Sequence, residues 1–383
     1  MNIAFTGGHH TSALAVIDAL KKRSVTKRAD LEMVFFGHRW AIGAPGVESN
    51  EFKDVQAKEI PFVNINAGKL SRTFKPLDWL RIPFGFVQAF FLLLKHRPDL
   101  IISFGGYLAV PVVLSGWILG IPSVTHEQTV VCGWANKFIA RFAKKIFISW
   151  PQSRDYFPES KVILTGLPLR KEIVTLAGEK SSGSVRRVDS ETKQKLSGLP
   201  EWPTVYITGG KQGSRVINDA VEGCVERLLT RLSVIHQCGI RDFEKFLQVE
   251  NQLPEKRKAN YVVYDYFDQE EISRVFRSAD FVIGRSGAHT VYELAALGKP
   301  AILIPIPWVS HNEQRKNAEV LSEVGSVIIL PQEELTPERL LTECKSMLDS
   351  WKDFKKAGKK ARSLVVYDAA DRIVDQILEY VQD

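Results

Sequence analysis

Two apolar runs and the short segment between them limit most strongly how this chain can fold. In DFVIGRSGAHTVYELAALGKPAILIPIP (280–307), residues 281–283 and 301–306 are continuously hydrophobic. That is the pattern of strands whose two sheet faces are both covered. Residues 289–297 between them read as a short helix, entered through the turn Arg285-Ser286-Gly287-Ala288. Small residues at a helix start leave free N–H groups and the positive end of the dipole open to a phosphate. Arg285 adds a charge-assisted contact there. Glu293, about a turn and a half into the helix, is placed to accept both hydroxyls of a ribose. A phosphate seat beside a diol-binding carboxylate reads as a nucleotide site. The same residues also suit a plain β-α-β unit with a surface Arg and Glu.

The device recurs at the start of the chain. Residues 2–5 form a strand, Thr6-Gly7-Gly8-His9-His10-Thr11 a glycine turn, and 12–22 a helix. It returns as strand 204–207, the loop Gly209-Gly210-Lys211-Gln212-Gly213-Ser214 and a helix over 215–229. Further strands are expected at 31–36, 59–65, 100–104, 123–125, 145–149, 162–165, 233–236, 261–264 and 326–329. Strands alternating with helices make parallel, doubly wound sheets. At 383 residues the chain is long for one core. The expectation is α/β, two Rossmann-like domains facing across a cleft. The first covers 1–166 and the second 167–360, with 361–383 a helix packing back on the first. The polar stretch 178–198 has no periodicity and reads as a surface loop or connection.

A formal charge of +7 invites an anionic partner. RNA-binding aromatic signatures and zinc-finger spacings are absent, so nucleic acid is not expected. The four cysteines lie far apart and suggest reduced thiols in a cytosolic protein. The start, MNIAFTGGHH, enters a strand directly and does not read as a secretory signal. The longest apolar stretch, 82–94, is interrupted by Pro83, Gly85 and Gln88 and is too short to span a bilayer. Around it, residues 67–97 set Lys69, Arg72, Lys75 and Arg81 among Phe74, Trp79, Leu80, Ile82 and Phe84. Such a stretch suits an anionic membrane surface, and it equally suits a core helix over 84–94 with a solvated basic approach.

The first glycine loop lacks both the full GxGxxG spacing and the lysine of a Walker loop. His9 falls at a strand's C-terminal edge, where such sheets bind ligands, either as a working base or as a structural cap. His126-Glu127 offers a base and an acid at another edge, or a hydrogen-bonded structural pair. Lys211 and Asn218 can meet a diphosphate or a sugar, and His311-Asn312-Glu313-Gln314 can meet sugar hydroxyls. Ordinary turns and solvated loops would carry the same residues. No Asp-x-Asp motif is present, so neither a metal nor another cofactor is expected.

Taken in order, TGGHHTSALAV, SFGGYLAVP, GIPSVTHEQ, GLPLR, GGKQGSRVIND, HQCG, GRSGAHTVYELAALGKPAILIP and NEQRKNA resemble the MurG family of peptidoglycan N-acetylglucosaminyltransferases over nearly the whole chain. The resemblance implies a GT-B architecture. It also implies transfer of N-acetylglucosamine from UDP-GlcNAc to lipid I at the cytoplasmic membrane face, forming lipid II with inversion. It places Arg285, Ser286, Gly287, Ala288 and Thr290 around the donor diphosphate, with Glu293 on the ribose. Phe267 falls beside the uracil, Arg170 and Lys211 on the nucleotide side, and Asn218, Glu313 and Gln314 on the sugar. On the acceptor side His9 is the base, with Glu127 as a second catalytic candidate, and Thr6, Gly7, Gly8, Tyr107 and His126 surround the lipid diphosphate. It also tips Lys69, Arg72, Lys75, Trp79, Leu80, Arg81, Ile82 and Phe84 towards membrane docking. Departures from the family pattern are Thr129, Leu167, Lys211 and Glu313, together with a shortened first glycine run. Rival readings are another UDP-sugar-dependent glycolipid glycosyltransferase, a UDP-GlcNAc 2-epimerase, and a non-catalytic nucleotide-sugar-binding membrane adaptor.

Overall fold

The structure is a computed structural model that describes residues 1–27, 31–40, 46–68, 76–178, 202–210 and 212–382. The chain divides into two compact units, Met1–Leu169 with Val366–Asp383, and Arg170–Val365.

The first unit is built on a parallel seven-stranded sheet. Its strands are β1 (Asn2–Thr6), β2 (Glu32–Gly37), β3 (Phe62–Asn64), β4 (Leu100–Ser103), β5 (Ser123–Glu127), β6 (Lys145–Ile148) and β7 (Val162–Leu164). They lie in the order β3-β2-β1-β4-β5-β6-β7. Successive side chains of a strand point to opposite faces, so each strand feeds two cores. Ile3, Phe5, Phe35 and Ile102 pack with Leu14, Ile17 and Leu20 of the helix His10–Lys27. Ala4, Val34, Phe36 and Ile101 pack on the other face with Ala89 and Leu93 of the helix Pro76–His96 and Val112 and Val113 of Ala109–Ile118. Each such large side chain contributes roughly 1.5–3 kcal/mol by leaving water. The helix Ala369–Gln382 belongs here too, placing Ile373, Val374 and Ile377 in the first of these cores.

The second unit repeats the plan with six parallel strands: β8 (Thr204–Thr208), β9 (Ser233–Gln237), β10 (Tyr261–Tyr264), β11 (Phe281–Gly284), β12 (Ala301–Leu303) and β13 (Val327–Ile329). Their order is β10-β9-β8-β11-β12-β13. In both units the connection reverses direction beside the first strand, between β1 and β4 and between β8 and β11. Loops leave the sheet in opposite directions at that point and open the crevice where doubly wound proteins bind ligands.

Two sequence expectations need correction. The helix expected over 215–229 breaks into Arg215–Glu222 and Val225–Leu228 at Gly223, where a Cβ would stand 2.6 Å from Pro337 Cγ. The strand expected at 59–65 is only Phe62–Asn64, because Glu59 has a left-handed φ of 57° and the preceding residues close a turn. Pro83 lies inside one helix, Pro76–His96, which is not apolar enough over its length to cross a membrane. Along that helix Ala89 and Leu93 are buried, while Phe84, Val87, Phe91 and Leu94 form an exposed stripe. It is therefore a core helix on one side and an apolar surface on another.

The β11–helix–β12 unit that dominates the sequence is held from behind by a close helix contact. Gly298 ends the helix Ala288–Leu297 in the left-handed conformation, and a Cβ on Gly358 of the helix Trp351–Ala361 would lie 2.2 Å from the Gly298 carbonyl oxygen. Backbone cannot yield as a flexible side chain can. Gly358→Ala is expected to cost about 1–3 kcal/mol, the range for overpacking, seen as a lowered midpoint in denaturant; an unchanged midpoint would show that the two helices separate freely.

Candidate active site

In the first unit the switch point is made of backbone. The loop after β1 meets the loop after β4: Gly8 N–H donates to the Gly105 carbonyl at 3.1 Å. Gly7 has φ 126°, and a Cβ there would stand 2.7 Å from the same carbonyl. Only glycine satisfies both conditions. Thr6, at the end of β1, is fully buried with an Oγ1 that has no hydrogen-bond partner. His9 is exposed just beyond. Desolvation and the neighbouring His10 lower its pKa to about 4. Its open surface tempers that effect, but an ordinary imidazole near 6.5 is already mostly neutral at pH 7. His10 itself is tied to Asp54 at 2.9 Å. Tyr107 lies half-buried in the β4 loop.

His126 and Glu127 end β5, and both are buried. His126 Nε2 lies 2.9 Å from the Gly166 carbonyl, so that nitrogen carries the proton and donates. The bare Nδ1 has no partner, and burial lowers the ring's pKa to about 4, keeping it neutral. Glu127 is hydrogen-bonded through both carboxylate oxygens. Oε1 accepts from the N–H groups of Gln128 (2.9 Å) and Thr129 (3.0 Å) and lies 2.9 Å from the Thr129 hydroxyl. Oε2 accepts from Asn136 Nδ2 at 3.0 Å. Burial raises its pKa while these donors pull it back down. A carboxylate so occupied anchors the 127–131 turn. Thr129, a departure from the family pattern, is one of its donors. Asn136, which the sequence reading passed over, also donates to the His126 carbonyl and so fixes both residues.

In the second unit the switch point is stapled by a side chain. Arg285, directly after β11, donates from one terminal nitrogen to Ser214 Oγ at 2.8 Å and from the other to the Ile304 carbonyl at 3.0 Å. It thereby joins the loops after β8, β11 and β12, and among the described residues its Nε has no hydrogen-bond partner. Desolvation lowers its pKa to about 10, which leaves it charged at pH 7. Ser286 is wholly buried, and its Oγ has no partner. Gly287 caps the helix Ala288–Leu297, whose first amides, with half-buried Thr290, face the turn. Glu293 is 3% exposed, and Arg170 Nε stands 3.3 Å from its Oε1. Phe267 is buried against Tyr264 and Tyr206, with ring centroids 4.3 and 6.1 Å away.

Other expected contacts fall differently. Asn218 is buried and fully engaged, donating to the Cys238 carbonyl (2.8 Å) and Asp242 (2.6 Å) and accepting from His236 Nε2 (3.2 Å). It braces the loop from inside. Gln314 accepts from the Ile306 N–H at 3.1 Å, leaving its amide nitrogen as the group able to meet a ligand. Glu313 starts the helix Glu313–Glu323 after two left-handed residues, His311 (φ 55°) and Asn312 (φ 52°). Backbone held that way costs about 1–3 kcal/mol and is concentrated at functional sites. Lys211, Lys69, Arg72 and Lys75 lie outside the described residues. Trp79, Leu80 and Arg81 are on the helix Pro76–His96, where Ile82 is half-buried and Phe84 exposed. Two further residues emerge from the structure. Gln237 donates to the Gly210 carbonyl (3.0 Å) and accepts from Tyr206 (2.8 Å), and His236 bridges Asn218 and Tyr261. The signal for them was a polar pair closing an otherwise apolar strand.

Two units with the same strand order, each with a ligand-ready switch point, are shared by several enzyme families, so comparison with known proteins decides among them. Residues 6–148 match the glycosyltransferase family 28 N-terminal domain and residues 204–373 its C-terminal domain. A protein of Desulfitobacterium hafniense (strain Y51) named UDP-N-acetylglucosamine--N-acetylmuramyl-(pentapeptide) pyrophosphoryl-undecaprenol N-acetylglucosamine transferase is 31% identical over 98% of this chain and 96% of its own. A Clostridium kluyveri protein of the same name is also 31% identical, over 98% and 97%. This chain belongs to the MurG family. The MurG crystal structure from Acinetobacter baumannii superposes with a TM-score of 0.71 at 24% identity, covering 99% of each chain, and supports the GT-B fold. A UDP-GlcNAc 2-epimerase from Neisseria meningitidis shares that fold (TM-score 0.69, 99% of this chain and 100% of that one) at 13% identity. The MurG relatives, unlike the epimerase, match in sequence along nearly the whole chain.

Within this MurG-family chain, the His236 network yields a pH test. Burial lowers the His236 pKa to about 3, whereas the unfolded chain takes up the proton near 6.5. The neutral ring's stabilisation is therefore complete above pH 6.5 and lost as pH falls towards 3. In denaturant titrations, the stability advantage of the natural chain over His236→Gln should shrink by about 1.4 kcal/mol per pH unit between pH 6 and 4. An advantage independent of pH would mean that the buried ring is already protonated.

Proposed function

We propose that this protein transfers N-acetylglucosamine from UDP-GlcNAc to lipid I, the undecaprenyl-diphospho-muramoyl peptide, forming lipid II with inversion. The observation that carries the reading is the β11–helix turn, where Arg285, Ser286 and Gly287 stand at a switch point with buried Glu293 behind them, in a chain of this family. The donor diphosphate sits on the first amides of the helix Ala288–Leu297, with the Ser286 hydroxyl and the Arg285 N–H groups not used in its two loop bonds. The ribose hydroxyls go to Glu293, the uracil to the backbone at Phe267, and the sugar to Glu313 and Gln314. On the first unit, the Gly7-Gly8 loop with Thr6, Tyr107 and His126 receives the acceptor diphosphate. His9 takes the proton as the acceptor hydroxyl attacks the anomeric carbon, and the bond to UDP breaks with its electrons on the diphosphate. Helix-terminal amides and Arg285 meet that developing charge, a contribution that is commonly the largest single one in catalysis. Glu127 holds the loop around His126 and takes no proton.

The acceptor is a lipid, and the first unit has a surface suited to its bilayer. Phe84 (57% exposed), Phe91 (65%), Trp117 (57%) and Trp134 (73%) are large apolar side chains left in water. The helix that carries the first two packs on the helix that carries Trp117. No described helix is long and apolar enough to cross a membrane. We assign this surface to peripheral docking at the cytoplasmic face.

Incubation of labelled UDP-GlcNAc with a lipid I analogue should yield a disaccharide-lipid product; an epimerised or untouched donor would overturn the reading. His9→Ala should lower turnover by about 10²–10⁴-fold, the usual share of a general base, with UDP affinity changed less than about twofold. Undiminished turnover would remove His9 from that role. Phe84→Ser with Phe91→Ser should reduce sedimentation with anionic vesicles by roughly tenfold through lost apolar burial, and full retention would place docking elsewhere.

A further inference from the structure

Glu293 has two claims on it. It is buried in the helix Ala288–Leu297, and its carboxylate is met by the Arg170 guanidinium at 3.3 Å. Burial alone raises its pKa, and Arg170 opposes that rise. Yet the contact is held by charge alone. Among the described residues neither Arg170 Nε nor Glu293 Oε1 has a hydrogen-bond partner, so the N–H is not aimed at the oxygen. Arg285 is held elsewhere, each of its terminal nitrogens donating to the loops at Ser214 and Ile304.

Resting on the donor-site reading above, we propose that Arg170 is a specificity-determining residue that yields Glu293 only to a nucleotide bringing its own phosphates. A ribose that takes the carboxylate's lone pairs displaces the guanidinium. If the ligand is a nucleoside, the displaced cation is left in a largely buried place without an anion, which is strongly unfavourable. If the ligand is a nucleoside diphosphate, the planar fork of Arg170 closes on the phosphate instead, bidentately and in better alignment than its present contact. One anion replaces another, and the exchange is balanced. Arg170 thereby acts as a placeholder that sets the site against free nucleosides. A plain phosphate contact would add affinity for the diphosphate without penalising the nucleoside.

Calorimetric titration of the full chain with uridine and with UDP separates these cases. In Arg170→Gln, UDP should bind at least about tenfold more weakly, having lost a charged contact, while uridine should bind about threefold or more tightly, having lost a competitor for Glu293. Arg170→Gln combined with Glu293→Gln should show no gain for uridine. Uridine binding that is unchanged or weaker in Arg170→Gln would overturn the proposal, leaving Arg170 as a phosphate contact or a scaffold. Should Arg170→Gln fail to fold, Arg170→Met answers in its place: its apolar, adaptable side chain carries no charge, so the two ligands should again move in opposite directions, and movement together overturns the proposal. A natural chain that binds UDP no better than uridine would instead remove the donor site itself.

Discussion

Backbone has to touch backbone at the switch point of each sheet. In the first unit Gly7 and Gly8 lie against Gly105, and in the second Gly213, whose Cβ would stand 2.1 Å from the Cys238 carbonyl, lies against the loop after β9. These contacts leave no room for side chains beneath the ligand loops. They bring strand ends, helix starts and loop amides to one edge of each sheet. The groups assigned to the two substrates stand at those edges, on loops that the glycine contacts hold in place.

Buried polar networks then hold those loops. Glu127 gathers three residues in the first unit, and the His236–Asn218–Asp242 and Gln237–Gly210 bonds do the same in the second. Such groups are costly to bury unless fully bonded. Among the described residues, Thr6 Oγ1, His126 Nδ1 and Ser286 Oγ are buried without a hydrogen-bond partner, and all three belong to residues proposed to meet a substrate. Scaffold and contact residues thus differ less in type than in how many of their bonds are already made.

That distinction explains what the sequence could convey. Continuous apolar runs separated by glycine turns announce the strands and the doubly wound order, because sheet burial depends on pattern alone. Arg285, Ser286 and Glu293 were visible as well, since a turn into a helix fixes where they stand. Glu127 and Asn218 look like ligand-facing residues in one dimension. Their engagement depends on Asn136 and on Asp242, partners brought close only by packing. The break at Gly223 likewise needs Pro337, and the passage of a helix through Pro83 needs a helix on either side of it long enough to absorb one missing bond.

The helix Ala369–Gln382 closes the core of the first unit, although the entire second unit precedes it in the chain. During synthesis, therefore, the glycine loop with His9 emerges early but stands on an unfinished core. The second unit is contiguous and can consolidate before those last turns are made. Leu14, Ile17 and Leu20 wait through that interval for Ile373 and Ile377. The domain that is translated first is completed last, so a finished first unit marks a chain whose second unit has already been made.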